Sequence, residues 1–467
     1  MTSPEAADRA AAADLLAVFS VLWAGAAVWH VIGNPQGAAT WGLLLLAVGV
    51  GAVFAWPGRP LPLAVLAAAT IVTVWQEAPA LGNHWLLAGF VDLALLVTLA
   101  VVLLRDRRVD RESLAGGFLP AARLCLVCFY GFAGFSKLNA AFFDRQVSCA
   151  VFYFRESTAS LGASGLQLHG APWLQTGVIW ATVAVELSIP PLLLWRRTRH
   201  IAVVLAIGFH GVLALDRSHE FFDFSSVLLP LFLLYLPDGF GPWARACARR
   251  VPMLVRAIPA AIATAVVVEA GRGDLSGGEA VRWGWWAWQV AVVVALVAVV
   301  AYLRTGPEAR VDPVRPAHLA LLGVPMLMIV NGLTPYLELK TGYGWNMYAN
   351  LRTVDGDSNH FIVRATLPLS DDGGDVVRIV ATSDPALRHY KDTGHGLVWR
   401  QLRSYLAEHP DASITYERDG KTVTVARASD HPALVDAPPS WEQKLLPYRA
   451  VDLESPERCA PSLGPAQ

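Results

Sequence analysis

Residues 124–139 read LCLVCFYGFAGFSKLN, an apolar run with a single amine, Lys137, close to its end. An uncharged stretch of this kind is typical of a membrane-spanning helix. Burying an ammonium group in hydrocarbon costs at least about 2.5–3.5 kcal/mol. Lys137 therefore either extends its amine to the membrane interface or is kept for its chemistry. Desolvation favours the neutral amine, which is a general base.

The composition of the whole chain indicates a membrane protein. Of the 467 residues, 54% are hydrophobic and only 16% are charged, and the mean hydropathy is +0.43. Soluble proteins have about 25% charged residues. A net charge of −1 argues against nucleic acid as a partner. The five cysteines lack the spacing of a metal site or a disulfide framework, so neither is predicted.

Apolar stretches long enough to cross about 30 Å of hydrocarbon recur from residue 14 to residue 336. We predict spans at 15–32, 41–56, 61–79, 85–104, 118–137, 173–195, 201–215, 221–236, 257–270, 283–303 and 317–336. The ninth, at 257–270, is the weakest. The predicted fold is an all-α membrane bundle of ten or eleven transmembrane helices, followed by a small α+β extramembrane domain.

The arginines indicate the orientation of these spans. The loops after spans four, six, eight and ten are basic, at residues 105–111, 196–199, 245–256 and 304–315. Cytoplasmic loops carry an excess of lysine and arginine. The short N-terminus, residues 1–13, is therefore expected in the cytoplasm, and the C-terminal domain outside if the ninth span is real. Without that span the domain would lie inside and the loop 304–315 would break the rule.

The composition changes after residue 336, where Asp, Asn, Gly and Thr become common. Residues 360–367 and 376–382 alternate like strands, and residues 397–407 have the pattern of a short amphipathic helix. Two further strands at 413–416 and 422–426 flank an Asp-Gly turn signal, which predicts a hairpin. We predict a small α+β domain over 337–452 and a loose tail over 453–467.

Several polar residues fall within or beside the spans, most of them toward the outer ends. They are Asn83, His84, Lys137, His210, His219, Glu220 and Asp223, with Glu186 in the middle of span six, before a predicted helix break at Pro190-Pro191. Ionisable groups in membrane spans usually face a cavity and pair with one another. Each also has a structural interpretation: Lys137 could extend to the interface, His84 could be an interfacial residue and Asp223 a helix cap.

Five motifs, in order, resemble the vitamin K-dependent gamma-glutamyl carboxylase superfamily, whose bacterial members are the horizontally transferred transmembrane (HTTM) domain proteins. The lysine segment, Tyr130-x-x-Ala133-Gly134-x-x-Lys137-Leu138, is similar to the family's Y-F-x-A-G-x-x-K-L helix. The others are Asn83-His84, Glu186-Leu187-Ser188, Phe209-His210 with Phe222-Asp223-Phe224-Ser225, and Tyr343-Gly344-Trp345-Asn346-Met347 with Asn359-His360.

This resemblance implies an enzyme that uses reduced vitamin K or menaquinol, a hydroquinone, with O2 and CO2 as co-substrates and no metal. Lys137 would be the base that deprotonates the hydroquinone, and His84 its hydrogen-bonding or acid/base partner. Oxidation to the epoxide would then allow carboxylation of a glutamate on a peptide or protein. Supporting or substrate-binding positions would be Asn83, Glu186, His210, Asp223, Tyr343, Trp345, Asn359 and His360.

The chain departs from the animal members of that family. It ends about 130 residues after the last predicted span, without their large propeptide-binding region. Their inter-domain disulfide cannot be assigned, since Cys459 falls in the predicted loose tail. The Ala-, Val-, Arg- and Trp-rich composition resembles high-GC bacteria, so a bacterial plasma membrane is expected. The alternative is a non-catalytic or transporter-like membrane protein that binds a quinone or other ligand, with the extracytoplasmic domain binding a partner.

Overall fold

The computed structural model describes residues 4–34, 39–162, 171–237, 239–250, 278–306, 314, 318–454 and 456–459. Long helices form the first part of the chain: α1 (Pro4–Gly33), α2 (Thr40–Ala55), α3 (Pro60–Glu77), α4 (Asn83–Asp106) and α5 (Arg111–Ser136). Two short helices follow, α6 (Ala140–Phe143) and α7 (Cys149–Ser160). The bundle continues with α8 (Pro172–Leu194), α9 (Arg199–Leu213), α10 (Phe221–Leu233), α11 (Phe240–Arg250), α12 (Gly278–Leu303) and α13 (Gly323–Leu333).

These helices pack into one bundle in which α1, α4, α5 and α10 are central. Helix α1 packs against α2, α5, α10 and α11, and α5 packs against α1, α4, α8 and α13. Within the described residues, six helices are long and apolar enough to cross a membrane: α1, α3, α4, α5, α8 and α12. Four shorter apolar helices lie at Trp41–Ala55, Arg199–Leu213, Phe221–Leu233 and Leu319–Leu333. The predicted helical bundle is confirmed, and the predicted span at 257–270 lies outside the described residues.

Three details of the bundle differ from the prediction. Helices α6, α7 and α11 are additional, because their short or charged sequences give no span signal. The predicted break at Pro190-Pro191 is wrong, since both prolines lie inside α8, which continues to Leu194. A proline removes one helical hydrogen bond, and so close to the helix end the loss leaves the last turn intact. The amide of Trp195 still donates to the carbonyl of Pro191, at 3.0 Å.

Helices α2 and α3 approach each other closely at Gly49. A Cβ added at Gly49 would lie 2.7 Å from the Cα of Leu66, whereas one added at Gly51 would have no atom within 4 Å. Small residues allow such backbone approach between membrane helices. We expect Gly49→Ala to destabilise the protein by about 1–3 kcal/mol, measured by thermal unfolding in detergent. Gly51→Ala is the control on the same helix, and equal effects of the two would contradict the close packing.

The C-terminal part begins with a two-stranded hairpin, β1 (Thr353–Val354) and β2 (Asp357–Ser358). A separate five-stranded sheet contains β3 (Val376–Thr382), β4 (His395–Val398), β5 (Ile414–Arg418), β6 (Lys421–Val425) and β7 (Val451–Asp452). The sheet is antiparallel, with its strands in the order β6-β5-β3-β4-β7. Its helices are α14 (Pro385–Thr393), α15 (Trp399–Glu408), α16 (Pro432–Val435) and α17 (Ser440–Leu445). The predicted small α+β unit is therefore present.

The sheet confirms most of the local predictions for this region. Strand β3 occupies 376–382 as predicted, and α15 matches the predicted helix. The β5–β6 hairpin turns at Asp419 and Gly420, whose φ angles are 52° and 70°, as an Asp-Gly turn requires. The predicted strand at 360–367 is wrong: that segment makes only isolated bridges, including one between Asn139 and His360. Its backbone bonds to residues just beyond the helices instead: the Phe361 amide donates to the Leu138 carbonyl at 2.8 Å, and the Leu367 amide donates to the Tyr336 carbonyl at 2.9 Å.

A disulfide joins Cys149, at the start of α7, to Cys459, near the end of the chain. Cys459 was predicted to lie in a loose tail, and that expectation is wrong for this residue. The amide of Cys459 also donates to the carbonyl of Val147, at 3.1 Å, and Arg458 donates to Asp452. The chain end is therefore fastened to the bundle by covalent and polar contacts.

Lys340 follows the last bundle helix and is 7% exposed. Burial lowers the pKa of Lys340 from its usual 10.5 to about 8. Below pH 8 the buried amine is charged in the folded and unfolded states alike, and the burial cost is present in full. Between pH 8 and 10.5 only the unfolded state stays protonated, so stability rises with pH. At 1.36 kcal/mol per pH unit, the gain is about 3 kcal/mol.

Lys340→Met should therefore stabilise the protein near neutral pH and flatten the increase in its stability between pH 8 and 10.5. The measurement is thermal unfolding of both proteins across this pH range, taken as the difference between them so that other titrating groups cancel. A wild-type chain whose stability falls relative to Lys340→Met over this range would contradict the burial of a charged amine.

Candidate functional site

A cavity of about 130 Å³ lies between α5, α7, α8, α9, α10 and the segment 345–348. We call it the Lys137 cavity. Its lining is mostly aromatic and aliphatic: Phe129, Tyr130, Ala133, Lys137, Phe142, Cys149, Ala150, Tyr153, Phe154, Ser157, Val178, Thr182, Glu186, Phe209, His210, Val212, Leu213, Phe221, Phe224, Trp345, Met347 and Tyr348. Among these lining residues only Lys137 and Glu186 carry a full charge. The cavity is thus an apolar chamber with one amine and one carboxylate.

The amine of Lys137 points into the protein. The residue is 5% exposed, and its Nζ lies 2.8 Å from Oε2 of Glu186. Lys137 Nζ also donates to the backbone carbonyls of Ala133, at 3.2 Å, and Met347, at 3.4 Å. A lysine that extended to the interface would leave its amine exposed. The interpretation of Lys137 as an interfacial residue is therefore wrong, and its amine belongs to a buried ion pair.

The ion pair leaves hydrogen-bonding capacity for a ligand. Lys137 Nζ lies 2.8 Å from Glu186 Oε2, which is fully buried. A carboxylate has about four acceptor positions on its two oxygens. Glu186 can therefore accept a hydrogen bond in addition to its contact with Lys137.

A second polar pair lies on the cavity wall. The hydroxyl of Tyr130 and Nε2 of His210 are joined by a short hydrogen bond, and both side chains are buried. On its other side His210 Nδ1 lies 3.4 Å from Oγ of Ser225. Tyrosine and histidine can each donate or accept, so this pair can pass a proton or orient a polar group. It adds to the polar groups of the wall, which also include the hydroxyls of Tyr153, Ser157, Thr182 and Tyr348.

The wall formed by residues 343–350 has an unusual backbone. Tyr343, Trp345, Tyr348 and Asn350 all have φ angles between 52° and 58°. Left-handed φ angles in bulky residues are strained, by about 1–3 kcal/mol each, and cluster at ligand sites. Trp345 is completely buried, its indole N–H donates to the Met328 carbonyl at 2.8 Å, and its ring packs on Phe129. The strained segment places two aromatic rings and the Met347 carbonyl on the cavity.

Two predicted site residues, His84 and Asp223, lie outside the Lys137 cavity lining. They belong to a buried group with His30 and Glu77, which we call the His30 cluster. Nε2 of His84 lies 2.8 Å from Oδ2 of Asp223, and Nδ1 of His30 lies 2.9 Å from the same oxygen. Phe224 connects the two places: it lines the cavity and contacts the His84 ring edge-on, with 5.7 Å between ring centroids.

The remaining predicted residues fix the C-terminal segment to the bundle. The Asn359 carbonyl accepts from the Ala140 amide at 3.0 Å, and His360 Nε2 donates to the Phe135 carbonyl at 2.9 Å. Nδ1 of His360 accepts from two backbone amides, which defines a neutral tautomer with the proton on Nε2. Asn359 and His360 therefore hold the chain on either side of Lys137.

Tyr343 and Asn83 lie outside the lining of the Lys137 cavity. The Tyr343 hydroxyl accepts a hydrogen bond from the Leu81 amide at 2.9 Å, and burial raises the pKa of Tyr343 to about 12. Asn83 is 7% exposed, and its Oδ1 has no partner among the described residues. Of the ten predicted residues, the structure thus brings Lys137, Glu186, His210 and Trp345 together at the cavity.

Comparison with family models, curated proteins and solved structures gives no match. The resemblance of the sequence motifs to the carboxylase superfamily therefore stays a prediction, and the site has to be interpreted from its own geometry.

Sequence reasoning missed His30 and Glu77. Both lie at the ends of helices, His30 in the last turn of α1 and Glu77 as the last residue of α3. The topology used for the other polar residues places both ends on the outer side, beside His84. We expect polar residues at the same depth in the membrane to lie together. The same expectation, applied to the ends of α1 and α3, would have included His30 and Glu77.

Proposed function

We propose that the chain is an integral-membrane enzyme that oxidises a reduced naphthoquinone, such as reduced vitamin K or menaquinol, with O2 at the Lys137 cavity. The observation that supports this is a buried amine–carboxylate pair in an otherwise apolar, aromatic chamber. A cavity of similar volume can hold one aromatic ring, and the open side of this one leaves room for the rest of a larger molecule. The motif resemblance to the gamma-glutamyl carboxylase superfamily supports the same substrate class.

In this proposal Lys137 is the base and Glu186 is its proton store. When the proton of the Lys137–Glu186 pair resides on Glu186, the Lys137 amine is neutral and can accept a proton from a bound hydroxyl group. The Met347 and Ala133 carbonyls hold the amine in place, and Tyr130 with His210 can donate to an oxygen at the other side of the chamber. The aromatic walls exclude water, which protects strongly basic species.

When bound, a reduced naphthoquinone would be oxidised by O2 to its epoxide and water, with one oxygen atom entering each product, and this conversion would supply the base needed to remove a proton from a glutamate side chain. Addition of CO2 to that carbon would give a γ-carboxyglutamate on a peptide or protein acceptor. His84 and Asp223 have no part in these steps, because they belong to the His30 cluster.

We further propose that the ten apolar helices, and with them the segment 257–270, cross a bacterial plasma membrane. The N-terminus would lie in the cytoplasm and the C-terminal sheet outside. The four basic loops support this orientation. The Cys149–Cys459 disulfide also supports it, since such bonds persist in oxidising compartments outside the bacterial cytoplasm.

The test supplies the purified full-length protein in lipid nanodiscs with menaquinol or reduced vitamin K and O2. We expect the quinone epoxide by mass spectrometry, in amounts that follow protein concentration and vanish without O2. Addition of isotope-labelled CO2 and glutamate-containing peptides then shows whether label enters the peptide. If wild-type protein forms no more epoxide than the protein-free control, the proposed quinol oxidation is wrong. Quinone-dependent quenching of tryptophan fluorescence without epoxide would favour a non-catalytic quinone-binding protein.

A further inference from the structure

The His30 cluster joins four helices around one buried point. His30 comes from α1, Glu77 from α3, His84 from α4 and Asp223 from α10. His30, Glu77 and Asp223 are at most 5% exposed, and His84 is partly exposed. The oxygen Oδ2 of Asp223 accepts from both imidazoles, at 2.9 Å from His30 Nδ1 and 2.8 Å from His84 Nε2. One carboxylate and two imidazoles therefore converge from three helices.

The donors are arranged as metal ligands are. One ligand atom from each of His30, His84 and Asp223 lies within 4.8 Å of the other two. Zinc holds histidine nitrogens and carboxylate oxygens at about 2.0–2.2 Å, so that its ligands lie about 3.3–3.5 Å apart. An ion at the centre would open the two N–O contacts by about 0.5 Å. The second oxygen of Asp223, Oδ1, is buried and has no hydrogen-bond partner among the described residues, which leaves it free to bind the ion.

Glu77 occupies the position of a supporting carboxylate. Its two oxygens lie 3.1 and 3.0 Å from Nε2 of His30, the nitrogen on the opposite side of the ring from Asp223. Metal-bound histidines usually donate their other ring N–H to a carboxylate, which fixes the tautomer and the orientation of the ring. The ring of Trp85 stacks on His30, with 3.7 Å between ring centroids, and holds it from a third direction.

The His30 cluster also contains two carboxylates, Glu77 and Asp223, without a lysine or arginine partner among the described residues. Both nitrogens of His30 face carboxylates, Nδ1 facing Asp223 and Nε2 facing Glu77. A dication can replace the protons on His30 Nδ1 and His84 Nε2, since each imidazole is neutral when it binds a metal.

The backbone beside His84 leaves room for this arrangement. A Cβ added at Gly82 would lie 2.5 Å from Cε1 of His84. A larger residue at position 82 would collide with the His84 ring and displace it. Gly82 therefore allows the position of the third donor.

We propose that His30, His84 and Asp223 bind a divalent transition-metal ion, with Zn²⁺ as the ion that fits their donor set, and that Glu77 orients His30. This site is separate from the Lys137 cavity and does not depend on the proposed quinol oxidation. Three protein ligands leave a fourth position for water or a small anionic ligand.

The experiment strips the purified full-length protein in detergent with EDTA, reloads it with Zn²⁺, removes free ion and measures bound zinc by mass spectrometry. Wild type should retain about one zinc per chain, and Co²⁺ in its place should give the visible absorption of a low-coordinate site. His84→Gln, at the partly exposed ligand, should bind at least about tenfold more weakly. Glu77→Gln should keep the stoichiometry at saturating zinc but lose about 10–100-fold in affinity.

His219→Gln is the matched control. His219 also pairs with a buried carboxylate, that of Asp216 at 2.9 Å, but with one imidazole instead of two, so its loss should leave zinc binding unchanged. Asp223→Asn should also weaken zinc binding. Thermal unfolding of each variant reports folding, and if Asp223→Asn fails to fold, His84→Gln decides. Wild type that retains no zinc, or His84→Gln that retains as much as wild type, overturns the metal site.

Discussion

Lys137→Met should lower the rate of quinone epoxide formation by about 10²–10⁴-fold, the contribution of a positioned general base. Lys137 and Glu186 are the charged groups of the cavity lining, so no other amine of the lining can replace the base. Methionine matches the length and apolar stem of lysine, and the walls should therefore stay packed. The rate is measured by mass spectrometry of the epoxide at saturating reduced quinone.

The single variant also leaves Glu186 buried without its partner. Breaking a buried ion pair in this way can cost about 3–5 kcal/mol, so lost activity could reflect lost folding. Lys137→Met combined with Glu186→Gln removes both charges together and is the control for stability. We expect this double variant to keep the thermal stability of wild type, still bind quinone and make no epoxide. Epoxide formation at the wild-type rate in the folded double variant would show that Lys137 is not the base.

Cys149→Ser should destabilise the protein by about 2–5 kcal/mol, because the disulfide with Cys459 closes a loop of 310 residues. Helix α7 begins at Cys149, and five of its residues line the Lys137 cavity. Loss of the bond should therefore lower the thermal stability and also weaken quinone binding. Thermal unfolding and quinone-dependent tryptophan quenching measure the two effects.

Cys247→Ser is the matched control, since Cys247 is a free, half-buried cysteine of the same bundle. It should leave both measurements unchanged. Labelling of the denatured, unreduced chain should modify three thiols, Cys125, Cys128 and Cys247. Labelling of all five cysteines in protein taken from an oxidising compartment would contradict the disulfide.

The sequence predicted the helical bundle and the small C-terminal α+β unit because both depend on local patterns. Apolar runs define helices in a membrane, and the Asp419-Gly420 turn defines a hairpin between alternating segments. Predicted depth was sufficient to bring Lys137 near His210. Predictions of this kind succeed because they require only the local sequence pattern or the position of a residue along its own helix.

Local sequence patterns do not predict the order of the helices around the bundle. His84 lies toward the same side of the bundle as Lys137 in the predicted topology, but α4 directs it toward α1 and α10, where it meets Asp223 and not the amine. The Cys149–Cys459 bond was missed for a similar reason, since no pattern in the last residues shows where they pack. Which helices lie side by side depends on tertiary contacts between residues hundreds of positions apart. A single sequence does not show these contacts.

The contacts of Lys137 have a consequence for biosynthesis. Its carboxylate partner, Glu186, is made 49 residues after it, and the carbonyl of Met347 that holds its amine is 210 residues downstream. At about 5–20 residues per second, a ribosome completes Met347 roughly 10–40 s after Lys137. Glu186 follows within about 2–10 s at the same rate, but the Met347 carbonyl is missing throughout that interval. The helix that carries Lys137 is therefore made well before its site is complete, and residues of the last third of the chain complete it.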